Sequence, residues 1–211
     1  LWSILSRISH PVFGQPFVVG VFSGSSKPEP LDDFLHDCIM ELKGLLSTGL
    51  CFPSTGKVIR VALENVICDT PARSYIRQVK AHYGYYGCDS HGRCCHVGRP
   101  VANRMTFPTY TGRLRDDRSF RLRTQALHHK GRSPFEDLPI DMVASFPIDY
   151  MHLVYLGVMR KLIHLWRLGP RLSAQLNASI ERCSRCLQAE FSRMCRSLDS
   201  LEYWKAAEYR Q

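Results

Sequence analysis

Two short β-rich runs separated by one strongly amphipathic helix constrain this chain more than any other feature. Phe17-Val18-Val19-Gly20-Val21-Phe22 is continuously apolar and reads as a buried strand, closed by the turn-forming Gly24-Ser25-Ser26-Lys27-Pro28. Leu31, Phe34, Leu35, Cys38, Ile39, Leu42, Leu45 and Leu46 then recur at helical steps and form a single apolar stripe. Pro30 starts that helix, Asp32 and Asp33 sit in its first turn where the helix dipole favours them, and Gly49 follows its end. A second β-rich run covers 58–68, with Asp69 at its end, and Thr70-Pro71 opens a helix reaching about His82. Strand, helix, strand implies a crossover between parallel neighbours in one α/β sheet. Such sheets collect functional groups where strands deliver their carboxyl ends, and Asp69 is placed there.

Beyond this core the pattern changes. From Gly84 to about Arg132 the chain is rich in Gly, Cys, His and Arg with little periodicity, which reads as an irregular insertion. From Asp149 onward it is helical. Met151, Tyr155, Val158, Leu162 and Trp166 form one stripe, and Leu172, Leu176, Ile180, Cys183 and Leu187 another. The expected plan is therefore a partial α/β core over 1–83, a Cys/His/Arg-rich insertion over 84–135 and a helical region over 136–211. The chain does not begin with Met and stops inside the helix-forming run Trp204-Lys205-Ala206-Ala207-Glu208-Tyr209-Arg210-Gln211, so it reads as a piece of a longer protein. The most apolar stretch, 151–166, is interrupted by His152, Arg160, Lys161 and His164. It falls short of the ~18 residues a membrane span needs and reads as a buried helix.

Twenty-eight Lys and Arg against nineteen Asp and Glu give a formal charge of +9, a balance that favours polyanions. The excess concentrates in Arg113, Arg115, Arg118, Arg121, Arg123, Lys130 and Arg132, opposed by Asp116 and Asp117. That segment is either a solvated basic loop or a set of phosphate contacts. Phosphate contacts would supply DNA affinity and salt dependence without reading sequence.

Nine cysteines, with Arg7 and His10 breaking up the apolar residues at the start, argue against a signal peptide and a disulfide framework. A nuclear or cytosolic chain, not a secreted one, is expected. Cys88, His91, Cys94, Cys95 and His96, with His128 and His129 further on, have spacings suited to a structural Zn²⁺. Cys88, His91, Cys94 and His128 are one candidate ligand set among several. Cys183 and Cys186 lie on an amphipathic helix and read as core.

Three acidic positions carry candidate chemistry. Asp69 could hold a hard divalent cation, which takes one or two carboxylates plus phosphate oxygens and water, or could simply cap the helix begun at Pro71. Glu208 shares the apolar face of its helix with Leu201 and Trp204, so it either meets a cation or pairs with Lys205. Asp149 and His152, three residues apart, either meet at one site or serve as an N-cap and a core histidine. Phosphate-loop spacing is absent around Gly20–Lys27, and Gly56-Lys57 precedes a strand, which argues against an NTPase.

Taken in order, Pro16-Phe17-Val18-Val19-Gly20-Val21-Phe22-Ser23-Gly24-Ser25-Ser26-Lys27-Pro28, Cys68-Asp69-Thr70-Pro71-Ala72-Arg73 and Gly84-Tyr85-Tyr86-Gly87-Cys88 resemble a known family. So do His128-His129-Lys130-Gly131-Arg132-Ser133-Pro134, Phe146-Pro147-Ile148-Asp149-Tyr150-Met151-His152-Leu153 and Trp204-Lys205-Ala206-Ala207-Glu208. The series is similar to the catalytic domain of CACTA (En/Spm)-type DNA transposases and the transposon-derived proteins related to them. The resemblance implies a ribonuclease-H-like fold, with Asp69 as second catalytic acid, Asp149 and His152 as a D-x2-H motif, and Glu208 as third acid. The first catalytic Asp would lie on a strand upstream of Leu1. It further implies DNA strand cleavage and transfer supported by Mg²⁺ or Mn²⁺, transposon-end DNA as partner, and a homo-oligomer in the full-length protein. The family's C-x2-C corresponds to Cys88-x2-His91, a departure that leaves a decayed or domesticated, non-catalytic DNA- or chromatin-binding protein as the alternative.

Overall fold

The computed structural model describes residues 1–89, 97–108, 113–168, 170–186 and 196–209. It is a mixed α/β chain that divides into two compact units, Leu1–Pro147 and Ile148–Gln211.

The first unit opens with β1 (Trp2–Ser6) and β2 (Phe17–Phe22), an antiparallel hairpin with Trp2 opposite Phe22 and a register shift between Ile4 and Leu5. One side of this ribbon touches the core. Trp2 packs edge-on against Tyr75 at 5.7 Å, Phe22 against Phe34 at 5.8 Å, and Ile4 lies on the core cluster. Phe17, Val18 and Val21 are 50%, 63% and 57% exposed, so the expected buried strand is half of an open hairpin.

Helix α1 (Leu31–Thr48) follows the expected bounds, with Pro30 as N-cap and Leu31, Leu35 and Ile39 buried. Gly49 ends it at φ +76, a conformation that disfavours any side chain. A Cβ there would also stand 2.6 Å from the Ile59 carbonyl oxygen. The chain turns directly into β3 (Leu50–Cys51), which pairs antiparallel with β4 (Val58–Ile59). The expected parallel crossover is absent among the described residues, because β2 takes β1 as partner and β4 takes β3. From Arg60 to Asp69 the chain has no ladder, although the Val66 N–H donates to the Ser145 carbonyl at 2.7 Å.

Helix α2 (Thr70–Ile76) is shorter than expected. Gln78 adopts φ +53, Ser133 Oγ donates to the Ile76 carbonyl at 2.6 Å, and Lys80 N–H donates to the His128 carbonyl at 2.7 Å, which draws the chain away from the helix. The hairpin β5 (Arg99–Val101) and β6 (Arg104–Thr106) and the short α3 (Asp117–Arg121) come next. Asp116 and Ser119 cap α3 reciprocally.

One hydrophobic cluster joins Leu31, Leu35, Ile39, Ile76 and Val79 to Phe120, Phe135, Leu138, Met142 and Phe146. The Cys/His/Arg-rich segment thus shares a core with the residues before it. The expected boundaries at 83 and 135 do not fall at a break in packing.

A buried ionic hub ties this unit together. Asp89 accepts from Arg73 Nε at 2.9 Å and from Arg77 Nη1 at 2.5 and 2.6 Å, and lies 3.6 Å from Arg115 Nη1. The Arg73, Arg77 and Arg115 side chains are 5%, 1% and 4% exposed and Asp89 is 14%. Arg77 also stands over the Phe120 and Phe146 rings at 4.9 and 5.4 Å. Removing the carboxylate would take from Arg73, Arg77 and Arg115 the counter-charge they share in the hub. Asp89→Ala should lower unfolding free energy by about 3–5 kcal/mol in urea denaturation; a loss below about 1 kcal/mol would remove the hub from its central place.

The second unit begins with a π-helix, Met151–Met159, continues into α4 (Arg160–Arg167), and adds α5 (Pro170–Cys186), a 3-10 segment at Leu198–Tyr203 and α6 (Ala206–Tyr209). Its core is Ile163, Leu198, Leu201, Trp204 and Tyr209, with Tyr155, Leu156, Met159, Leu176 and Ile180 packed on it. The i→i+5 winding moves the packed face off the stripe expected for an α-helix, so Met151, Val158 and Trp166 are exposed. Cys183 and Cys186, expected in the core, are exposed as well. No helix among the described residues is long and apolar enough to cross a membrane.

Candidate functional site

The candidate residues are divided between the two units. In the first unit Asp69 is the N-cap of α2, where its Oδ1 accepts the Ala72 N–H at 2.8 Å. The carboxylate is half-buried. Pro71 in the first turn fixes the entry of the helix, and one turn on, Arg73 and Arg77 project at i and i+4 into the Asp89 hub. Burial alone would raise the Asp89 carboxyl, but Arg77 and Arg73 hold it below the usual carboxylate range.

The basic segment is divided in its use. Arg115 is buried, with Nε and Nη2 donating to Gln125 Oε1 at 3.1 and 2.6 Å and Nη1 to the Cys88 carbonyl at 3.3 Å. Arg121 pairs with Asp117 and donates to the carbonyls of Glu136, Leu138 and Ile140. Arg123 binds Glu136 at 3.0 Å, and Arg132 pairs with Asp137. Arg113, Arg118 and Lys130 face solvent and form no side-chain hydrogen bond or ion pair among the described residues, although the nearby Asp116 carboxyl, lowered first by its Ser119 hydrogen bonds, is lowered further by Arg113.

His91 and Cys94, with Cys95 and His96, lie outside the described residues. Cys88 and His128 are both buried, at 6% and 1% exposure. His128 Nδ1 donates to the Tyr86 carbonyl at 2.7 Å, which assigns the neutral ring's lone pair to Nε2. That nitrogen has no hydrogen-bond partner among the described residues, and a backbone-oriented imidazole of this kind is the usual form of a metal-ligating histidine. Among the described residues no three His, Cys, Asp or Glu side chains are grouped to hold a metal ion.

In the second unit Asp149 and His152 meet. His152 Nδ1 hydrogen-bonds Asp149 Oδ2, and Asp149 Oδ1 accepts the Met151 N–H at 2.8 Å. Burial would raise the Asp149 carboxyl, but the His152 bond holds it below the usual range. The Asp149 side chain is 15% exposed and His152 47%, so the imidazole is oriented from behind and open in front.

Glu208, buried to 2% exposure, accepts from Arg196 Nε at 2.7 Å and Nη2 at 3.0 Å, and from the Lys205 N–H at 2.7 Å. Its cation is Arg196, not the expected Lys205 side chain. Beside it, Leu156, Arg160, Arg196, Glu202, Tyr203, Trp204, Lys205 and Ala206 line a cleft of about 530 Å³. Sequence reasoning missed this cleft because residues from three separate segments form it. It also missed Asp89, a lone acid with no periodic context, although Arg73 and Arg77 at i and i+4 on a helix were a readable sign of a buried counter-charge.

No family model, curated protein or solved structure matches this chain.

The histidines give a pH test. Burial, with Arg115 next, lowers His128 from 6.5 to about 4, and burial, with Arg123 next, does the same to His129. The unfolded chain takes up these protons near pH 6.5 while the folded chain does not until about 4. The stability associated with neutral histidine is therefore present above 6.5 and lost as pH falls through that window. Denaturation at pH 7 and pH 5 should differ by roughly 2 kcal/mol for His128 alone. His128→Asn should flatten the slope; an unchanged slope would show that His128 does not govern it.

Proposed function

We propose that this chain is part of the catalytic domain of a DDE-type DNA transposase of the CACTA-like kind, with a ribonuclease-H-like ancestry. The single observation that carries the reading is the ordered series of motif phrases from Pro16 to Glu208. Three features support it: the +9 charge, the half-buried Asp69 at the mouth of α2, and the His152 imidazole oriented by Asp149. DNA is the partner, engaged through Arg113, Arg118 and Lys130 on the exposed side of the basic segment, and the protein acts in the nucleus.

Asp69 suits a hard cation as a single-oxygen ligand, since its Oδ1 is occupied by the helix cap. Glu208 suits one only if Arg196 moves away. A bound Mg²⁺ or Mn²⁺ would activate the attacking hydroxyl and stabilise the leaving oxygen. The chain's own contributions are distinct. Asp149 holds the His152 ring in one orientation with Nε2 outward, ready to take a proton from a hydroxyl of the DNA or water. Cys88 and His128, with His91 and Cys94, are the proposed structural zinc ligands, the thiolates offsetting the surrounding guanidinium charge.

A second reading, a DNA- or chromatin-binding protein that has lost cleavage, is favoured by the Arg196–Glu208 pair. Such a pair neutralises the proposed third acid. Plasmid nicking in Mn²⁺ separates the two. Asp69→Asn keeps a capping side chain but removes the charge, so it should abolish nicking with less than about 1 kcal/mol lost in stability. Salt-dependent DNA binding without nicking in the unmodified chain would decide for the binder. Absence of any salt-dependent DNA binding would reject both.

A further inference from the structure

We propose that the cleft in the second unit binds one nucleotide of a single-stranded nucleic acid, holding its phosphate with Arg160 and Lys205 and stacking its base on Tyr203. The cleft measures about 530 Å³, within the size range of small-ligand sites. Its lining carries Arg160, Arg196 and Lys205 against Glu202 alone. Arg196 is already committed, since it binds both Glu208 oxygens and the Tyr203 carbonyl. That leaves Arg160 and Lys205, both exposed, as cations available to an anion.

Glu208 has a defined part here. By accepting from Arg196 and from the Lys205 N–H it fixes the backbone on either side of Trp204, so Tyr203 and Lys205 are presented from a rigid segment. Trp204 is 5% exposed and forms a wall with Leu156, while Tyr203 is 69% exposed. Two exposed cations beside a solvent-facing aromatic ring and an apolar wall match the chemistry of phosphate plus unstacked base. A duplex would have to unpair and unstack a base to offer it to Tyr203, a cost a single strand does not carry, and this favours a single strand as the ligand.

The choice of polyanion rests on the DNA-binding reading above. The test uses fluorescence anisotropy of the full chain with a labelled mixed-sequence single strand, the same sequence as duplex, and a poly-glutamate peptide as competitor. Tyr203→Ala should weaken single-strand binding about tenfold and leave duplex binding unchanged. Arg160→Ala and Lys205→Ala should each reduce the salt slope for the single strand by about 0.7. All three residues are exposed, and circular dichroism of each variant checks that the fold is kept. The inference is overturned if these variants bind the single strand as the parent does, or if the peptide displaces it at equal charge. If Arg113→Ala with Arg118→Ala and Lys130→Ala abolishes duplex binding while the cleft variants change nothing, the cleft proposal fails and the DNA-binding reading stands. If the parent binds neither strand form, both fail.

Discussion

The Asp89 carboxylate is the interaction on which the first unit depends. Three guanidinium groups within one buried cluster would repel one another strongly in a low-dielectric interior. A single carboxylate, bound through both oxygens, makes their convergence tolerable. Because Arg73 and Arg77 belong to α2 and Arg115 to the segment leading into α3, the hub fixes the irregular part of the chain against the helix that Asp69 caps. It also sets the electrostatics next door. Burial keeps both imidazoles neutral, joined by Arg115 at His128 and by Arg123, Arg115 and Arg77 at His129. Neutrality is the state a nitrogen needs to accept a cation or a hydrogen bond, so one constraint serves both packing and chemistry.

How far the sequence could be read depended on whether a feature was local. The bounds of α1 were legible because apolar period, first-turn acids and a terminal glycine all agree over 31–49. The Asp69 cap was legible because Asp followed by Thr-Pro is a self-contained helix start. The strand partners were not. Phe17–Phe22 has the composition of a buried strand, but pairing is decided by which segment arrives next to it, and Trp2–Ser6 carries no comparable signal. The π-helix was hidden for another reason: nothing in Met151–Met159 announces a wider turn, and the wider turn is what moves the stripe. Counting charges in 113–132 likewise gave the right sign of the field and could not say which arginines were spent on carbonyls inside the fold.

The acids now differ in what they can do. Asp69 has an oxygen not used by its cap bond, Asp149 is committed to holding His152, and Glu208 is enclosed by Arg196 and a backbone donor. A carboxylate at 2% exposure with a two-pronged arginine is in the arrangement that maximises charge-assisted bonding. Releasing it to bind a metal would leave Arg196 without its partner and loosen the segment that carries Tyr203 and Trp204. For cleavage chemistry to use Glu208, the incoming nucleic acid must therefore supply Arg196 with a substitute anion. Cleavage through Glu208 and nucleotide binding in the proposed cleft thus make opposite demands on Arg196: the first needs its pair with Glu208 open, the second needs it closed. In a protein that binds DNA without cutting it, only the closed Arg196–Glu208 pair is needed.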